Sequence, residues 1–347
     1  MKVLIISDAW HPQVNGVVRT YEYLCEELVK RGHDVKVIGP ADFPWTIPMP
    51  AYPEIRLAIA PYGRLKRLIE DYAPDVIHIA AEGPLGWAGR KYCLQHGWPF
   101  STSYHTHFPD YVAKRLAKHV PFLYGTVHAL AKKLIRHFHA PAKVMMIATQ
   151  SLEDQLKSWN FKTPMHRLTR GAKLDQFYTG EKTEFQGLKR PVAIYVGRVA
   201  IEKSIEDFLA MPWDGSKVVV GDGPSMGELK RKYPDAHFAG KKIGAELAAY
   251  YRSADVFVFP SRTDTFGIVL IEALASGLPV AAYRVTGPKD IITASYLGAL
   301  EETDLAAAAR RALTEGTPEQ RAAHVKALYT WEHAGQQFEA ALKKKIG

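Results

Sequence analysis

The segment from Val256 to Tyr283 constrains this chain more than any other. Val256–Phe259 has the length and composition of a buried strand, Pro260 stops it, and Gly267 opens a helix predicted over Ile268–Ser276. Gly277 closes that helix, and a second strand follows over Pro279–Tyr283. Apart from Glu272 and Ser276 the helix is apolar, so it reads as buried. A carboxylate there costs several kcal/mol unless it is hydrogen-bonded, so Glu272 requires a partner. Asp264 stands in the loop before the helix, and the amides of Thr265, Phe266, Gly267 and Ile268 lie at its start. Unpaired amides and the positive end of a helix dipole suit an anion such as phosphate. The stretch reads as a site for a ligand that carries both phosphate and hydroxyls.

The rest of the chain alternates in the same way. Val3–Ile6 is a short apolar strand, Asp8–Gly16 a loop of turn formers, and a helix from Val17 carries Tyr21, Leu24, Cys25, Leu28 and Val29 at helical spacing until Gly32. Val35–Ile38 is the next strand. Such a unit builds a parallel sheet whose ligands bind beyond the carboxyl ends of its strands, where Gly16 lies. Pro40–Pro53 reads as loop. Strands over Asp75–Ile79, Phe100–Tyr104 and Val144–Ala148 then alternate with helices, and His105 stands at the end of the second of these strands. The pattern lapses over residues 171–190 and resumes with Val192–Val196, Lys217–Val220 and the segment described first. Two α/β domains are therefore expected, 1–170 and 191–329, joined by a linker over 171–190 and followed by a helix in 330–347 whose Trp331, Ala334, Phe338, Ala341 and Leu342 share one side.

Composition narrows the classes. With 47% hydrophobic and 23% charged residues the 347-residue chain has the balance of a soluble globular protein. Its net charge of +9 favours nucleic acid, anionic lipid or phosphorylated substrates as partners. Two cysteines, Cys25 and Cys93, supply no disulfide framework, which fits a reducing cytosol. MKVLIISDAW breaks too soon for a signal peptide, and no apolar run approaches the ~20 residues that span a bilayer, so membrane contact is expected to be peripheral.

Several residue groups carry chemistry. Val196-Gly197-Arg198 closes the first strand of the second half, and Lys203 follows at a helix start; a close-approach glycine with two cations suits a diphosphate. The turn Gly221–Pro224 is a weaker signal of the same kind. His105 is the candidate functional imidazole, with His107 as its competitor, although lone histidines are more often structural. Asp264 and Glu272 also admit an acid and base pair of a glycosidase. No D-x-D pair occurs, so Arg198 and Lys203, and no bound metal, are expected to carry the diphosphate.

Asp264 through Glu272, with Phe266-Gly267 and the continuation EALASGLPV, resembles the acidic-x7-Glu signature of retaining glycosyltransferase family 4. VGR with Lys203, GDGP, the Asn15-Gly16 loop and RGAKLDQF match that family in order. The resemblance implies a GT-B fold, two Rossmann-like α/β domains facing across a cleft, with a final helix crossing back to the first. A nucleotide-sugar donor would be held mainly by the second domain and the acceptor by the first. Glu272 would bind the ribose, Asp264 would lie near the sugar hydroxyls, and Phe266, Gly267 and Ile268 would offer amides. Arg198 and Lys203 would clamp the diphosphate, Gly197 and Gly16 would approach it, and His105 would stand near the transferred sugar. Two departures stand out: Asp264 replaces the family's usual Glu, and RGAKLDQF replaces an Asn-Gly-Val-Asp-like run.

The region SYHTHFPDY and the basic helix after it resemble the lipid-directed branch of the family. There Lys114, Arg115 and Lys118 alternate with Tyr111, Val112 and Leu116, a pattern suited to an anionic membrane. The expectation is transfer of a hexose or uronic acid, from UDP-glucose or UDP-glucuronate first and GDP-mannose second, to a lipid such as diacylglycerol. The site would be the inner face of the cell membrane, with no cofactor. A sugar-nucleotide epimerase would need no acceptor groove, and a nucleic-acid binder would leave Glu272 unexplained.

Overall fold

A computed structural model of the chain describes residues 1–13, 15–49, 52–105 and 124–345. It divides into two compact units, one of Met1–Thr169 with Trp331–Gly347 and one of Arg170–Thr330.

The first unit is built on a six-stranded sheet of β1 (Lys2–Ile6), β2 (Asp34–Ile38), β5 (Val76–Ile79), β6 (Phe100–Ser103), β7 (Val144–Ile147) and β8 (Met165–Arg167), in the order β2-β1-β5-β6-β7-β8. Every pairing in it is parallel. The helices on its faces bury Leu4, Ile6, Ile77, Ile79, Leu85 and Phe100 in one core. The sheet order reverses between β1 and β5, and a ligand crevice forms at such a point, beyond the carboxyl ends of the strands. Asn15 caps the first helix, Gly16–Lys30, by accepting from the amides of Val17 and Val18 at 2.9 and 3.1 Å. That helix buries Val18, Tyr21, Leu24 and Leu28, whereas Val29 is exposed.

The stretch expected as loop, Pro40–Pro53, instead contains a short helical turn at Pro40–Asp42 and an antiparallel ribbon of β3 (Thr46–Met49) and β4 (Tyr52–Ala58). Proline is tolerated there because each strand of a two-stranded ribbon keeps an open edge. The last helix, Trp331–Lys345, buries Trp331, Ala334, Phe338, Ala341 and Leu342. Glu339 ties it to the first helix and the turn beyond, 2.9 Å from His33 Nε2 and 3.3 Å from Arg31.

The second unit repeats the principle with β9 (Val192–Val196), β10 (Ser216–Val220), β11 (His237–Gly240), β12 (Val256–Phe259), β13 (Val280–Tyr283) and β14 (Gly298–Glu301). The order β11-β10-β9-β12-β13-β14, again all parallel, is that of a dinucleotide-binding sheet. Its reversal falls between β9 and β12, the strands that end in the VGR turn and in the Asp264 loop.

Candidate functional site

In the second unit, the helix Ile268–Ala275 runs from β12 towards β13, and all its residues from Leu270 onward are buried. Glu272 is 6% exposed. A partner that meets this need is Tyr251, on the helix Gly244–Ser253, whose hydroxyl donates to Glu272 Oε2 at 3.2 Å. Tyr251 is itself fully buried, so the pair is fixed by packing. Gly267 precedes the helix with φ +88, a left-handed conformation that favours glycine. A Cβ there would also meet Leu270 at 3.0 Å and Phe259 at 3.2 Å. Phe266 is buried and packs edge-on to Tyr329, while Ile268 is half-buried at the first helical position.

Gly197 and Arg198 emerge from β9, half-buried, and the Arg198 carbonyl accepts from the buried Tyr195 hydroxyl at 2.7 Å. Lys203 lies on a 3-10 turn, Ile201–Lys203, at the approach to the helix Ile205–Ala210, from which Ser204 at φ +49 separates it. Its Nζ donates to Asp264 Oδ1 at 2.6 Å. The structure therefore joins two residues that the sequence reading treated separately. Asp264 and Glu272 take different partners, Lys203 and Tyr251.

Gly221 gains a definite role. The Gly197 amide donates to Val220 and the Gly221 amide to Gly240, at 3.0 and 2.9 Å, which brings two turns into contact. A Cβ on Gly221 would lie 1.8 Å from the Gly197 carbonyl oxygen. Tyr251, Tyr195 and Gly287 were not singled out from the sequence. Gly287, at φ +93, lies where a Cβ would come 3.0 Å from the Asp264 carbonyl and 2.9 Å from that of Phe266.

In the first unit, His105 follows β6, and its Nε2 is 2.8 Å from the Tyr21 hydroxyl. Gly16 is exposed at the start of the first helix, and among the described residues nothing lies within 4 Å of a Cβ placed there. Asp8, at the end of β1, accepts from the amides of Leu85 and Gly86 at 2.9 and 3.0 Å and so caps the helix Pro84–Gln95. Burial pushes its carboxyl up to about 6, because two amide bonds do not offset the lost hydration. Lys114, Arg115 and Lys118, with Tyr111, Val112, Leu116 and His107, lie outside the described residues. Among the described residues no helix is long and apolar enough to cross a membrane.

Residues 14–176 match Glycosyltransferase Family 4, and residues 190–315 match Glycosyl transferases group 1. The chain is 30% identical to a GDP-mannose-dependent alpha-mannosyltransferase of Mycobacterium tuberculosis, over 86% of this chain and 83% of that one. It is 28% identical to the alpha-monoglucosyldiacylglycerol synthase of Streptococcus pneumoniae, over 90% and 78% respectively. Among solved structures, sucrose-phosphate synthase from Thermosynechococcus elongatus superposes with a TM-score of 0.77 at 22% identity, covering 99% of this chain and 98% of that one. That likeness shows the GT-B fold.

Proposed function

Because this chain belongs to glycosyltransferase family 4, we propose that it moves a hexose or uronic acid, with retention, from UDP-glucose or UDP-glucuronate to the free hydroxyl of a membrane lipid such as diacylglycerol. The observation that carries the donor side is Glu272, a carboxylate buried on an apolar helix and held by Tyr251. A nucleotide ribose offers paired hydroxyls that such a fixed acceptor can bind.

The charges suit the reaction. As the bond between the anomeric carbon and the phosphate oxygen breaks, its electron pair passes to the nucleoside diphosphate and the sugar gains oxocarbenium character. In this reading Arg198, Lys203 and the amides at residues 266–268 stabilise that developing negative charge. The acceptor hydroxyl bonds to the anomeric carbon from the same face, and its proton passes to the departing diphosphate. The products are a glycosylated lipid and UDP. The cations take the part a divalent ion plays elsewhere, so no metal is required, and His105 contributes beside the transferred sugar.

The lipid acceptor is supported by the streptococcal relative and by the chain's net charge of +9, which suits the inner face of the cell membrane. GDP-mannose is the second donor reading, favoured by the mycobacterial relative. Incubation with radiolabelled UDP-glucose, UDP-glucuronate or GDP-mannose, diacylglycerol-containing anionic vesicles and a chelator tests the proposal. Label from a UDP-sugar in the organic extract supports it. Label only from GDP-mannose selects the second donor, and an altered free sugar nucleotide points to an epimerase.

A further inference from the structure

The first unit contains a buried polar cluster around a single hydroxyl. The oxygen of Tyr21, a fully buried residue of the first helix, lies 2.8 Å from His78 Nε2, 2.8 Å from Ser103 Oγ and 2.8 Å from His105 Nε2. His78, on β5, is fully buried, and its Nδ1 lies 2.7 Å from Ser101 Oγ. Ser103 Oγ also lies 3.1 Å from His78 Nε2. Phe338 of the last helix closes the cluster from outside the sheet, with its ring 5.0 Å from that of His78 and 6.3 Å from that of Tyr21, both edge-on.

Burial drives the pKa of His78 down to about 3, so its ring is neutral. His78 therefore carries one ring proton. A phenol oxygen carries one proton and accepts two hydrogen bonds; Tyr21 donates its proton to Ser103 Oγ, and its oxygen faces the two imidazole nitrogens as an acceptor. An oxygen that faces His105 Nε2 as an acceptor favours the tautomer that carries its proton on that nitrogen.

We infer that Tyr21 is a positioning residue for His105: with His78 and Ser103 it fixes one ring orientation and one tautomer of His105, and Phe338 makes the last helix part of that support. A neutral imidazole that flips between tautomers offers a donor half the time and an acceptor half the time, so fixing it matters to any bond with a sugar hydroxyl. This inference rests on the transferase reading only for its kinetic consequence.

Two-bond 1H–15N correlation spectra of the full-length protein test it, with the His105 ring signals identified by their loss in His105→Ala. The native protein is expected to show two well-separated His105 nitrogen shifts, one protonated and one bare. In Tyr21→Phe these should converge towards an averaged value, and kcat should fall about tenfold while the affinity for UDP stays within about twofold. Phe338→Leu, which leaves every hydrogen-bonding group in place, should move the shifts in the same direction by less. Unchanged His105 shifts in Tyr21→Phe would overturn the inference whatever the activity. Converged shifts with full turnover would uphold the positioning and count instead against a part for His105 in transfer.

Discussion

Lys203 Nζ lies 2.6 Å from Asp264 Oδ1, an ion pair that bridges the segment after β9 and the loop after β12. The two side chains are 29% and 21% exposed, so the pair is partly shielded, and its value is in placement more than in stability. Asp264 holds the ammonium at the point where the sheet order reverses. Lys203→Ala should lower kcat about 100-fold and change UDP affinity by less than about threefold, because the cation acts on charge that appears as the bond breaks. Steady-state rates beside calorimetric titration with UDP separate the two effects.

Tyr251 and Glu272 should behave as one unit in donor binding. Tyr251→Phe removes a hydrogen bond to a carboxylate and should weaken UDP binding about tenfold, with a larger loss for Glu272→Gln. In the double variant the losses should fall short of their sum, since each residue acts through the other. Calorimetry on the four proteins checks this.

Asp8 should give the first unit an unusual pH dependence. Its folded pKa of about 6 lies above the ordinary 3.8, so between these values the folded state holds a proton that the unfolded state has lost. The contribution of this group to stability is then greatest at acid pH and falls as pH rises through that window, by about 3 kcal/mol. Denaturant unfolding of the native protein and Asp8→Asn at pH 4 and pH 7 should show the native protein losing ground to the variant by that order.

Gly221→Ala should destabilise the second unit by about 2 kcal/mol or more, because the new methyl group meets the Gly197 carbonyl at 1.8 Å and the residue sits at φ +139. A lower thermal midpoint together with slower transfer is expected, since relief of the clash displaces the Gly197-Arg198 turn.

The sheets were legible in the sequence where their strands are short apolar runs, as at Val3–Ile6, Val192–Val196 and Val256–Phe259. Besides the ribbon strands Thr46–Met49 and Tyr52–Ala58, two strands of the six-stranded sheets were not. His237–Gly240 is a mixed sequence at a sheet edge, and Gly298–Glu301 carries too few large apolar residues to stand out. The helix Leu305–Ala312 was missed for a related reason: it packs on the sheet through Ala306, Ala308, Ala309 and Ala312, whose small side chains give little periodic signal. The need of Glu272 for a partner followed from its burial alone, but the identity of that partner did not, because Tyr251 is remote in sequence and one of two adjacent tyrosines. The Tyr21 hydroxyl was likewise hidden within an apolar helical stripe, where its ring accounts for the pattern.

Proton NMR of the lipid formed from UDP-glucose tests the central claim most directly. The anomeric proton of the extracted product should show the small coupling of an α-linked glucose, matching the configuration of the donor, and the product should not form with Lys203→Ala in the same time. A β-linked glycolipid, or glucose recovered only in the aqueous phase, would contradict retaining transfer to a membrane lipid.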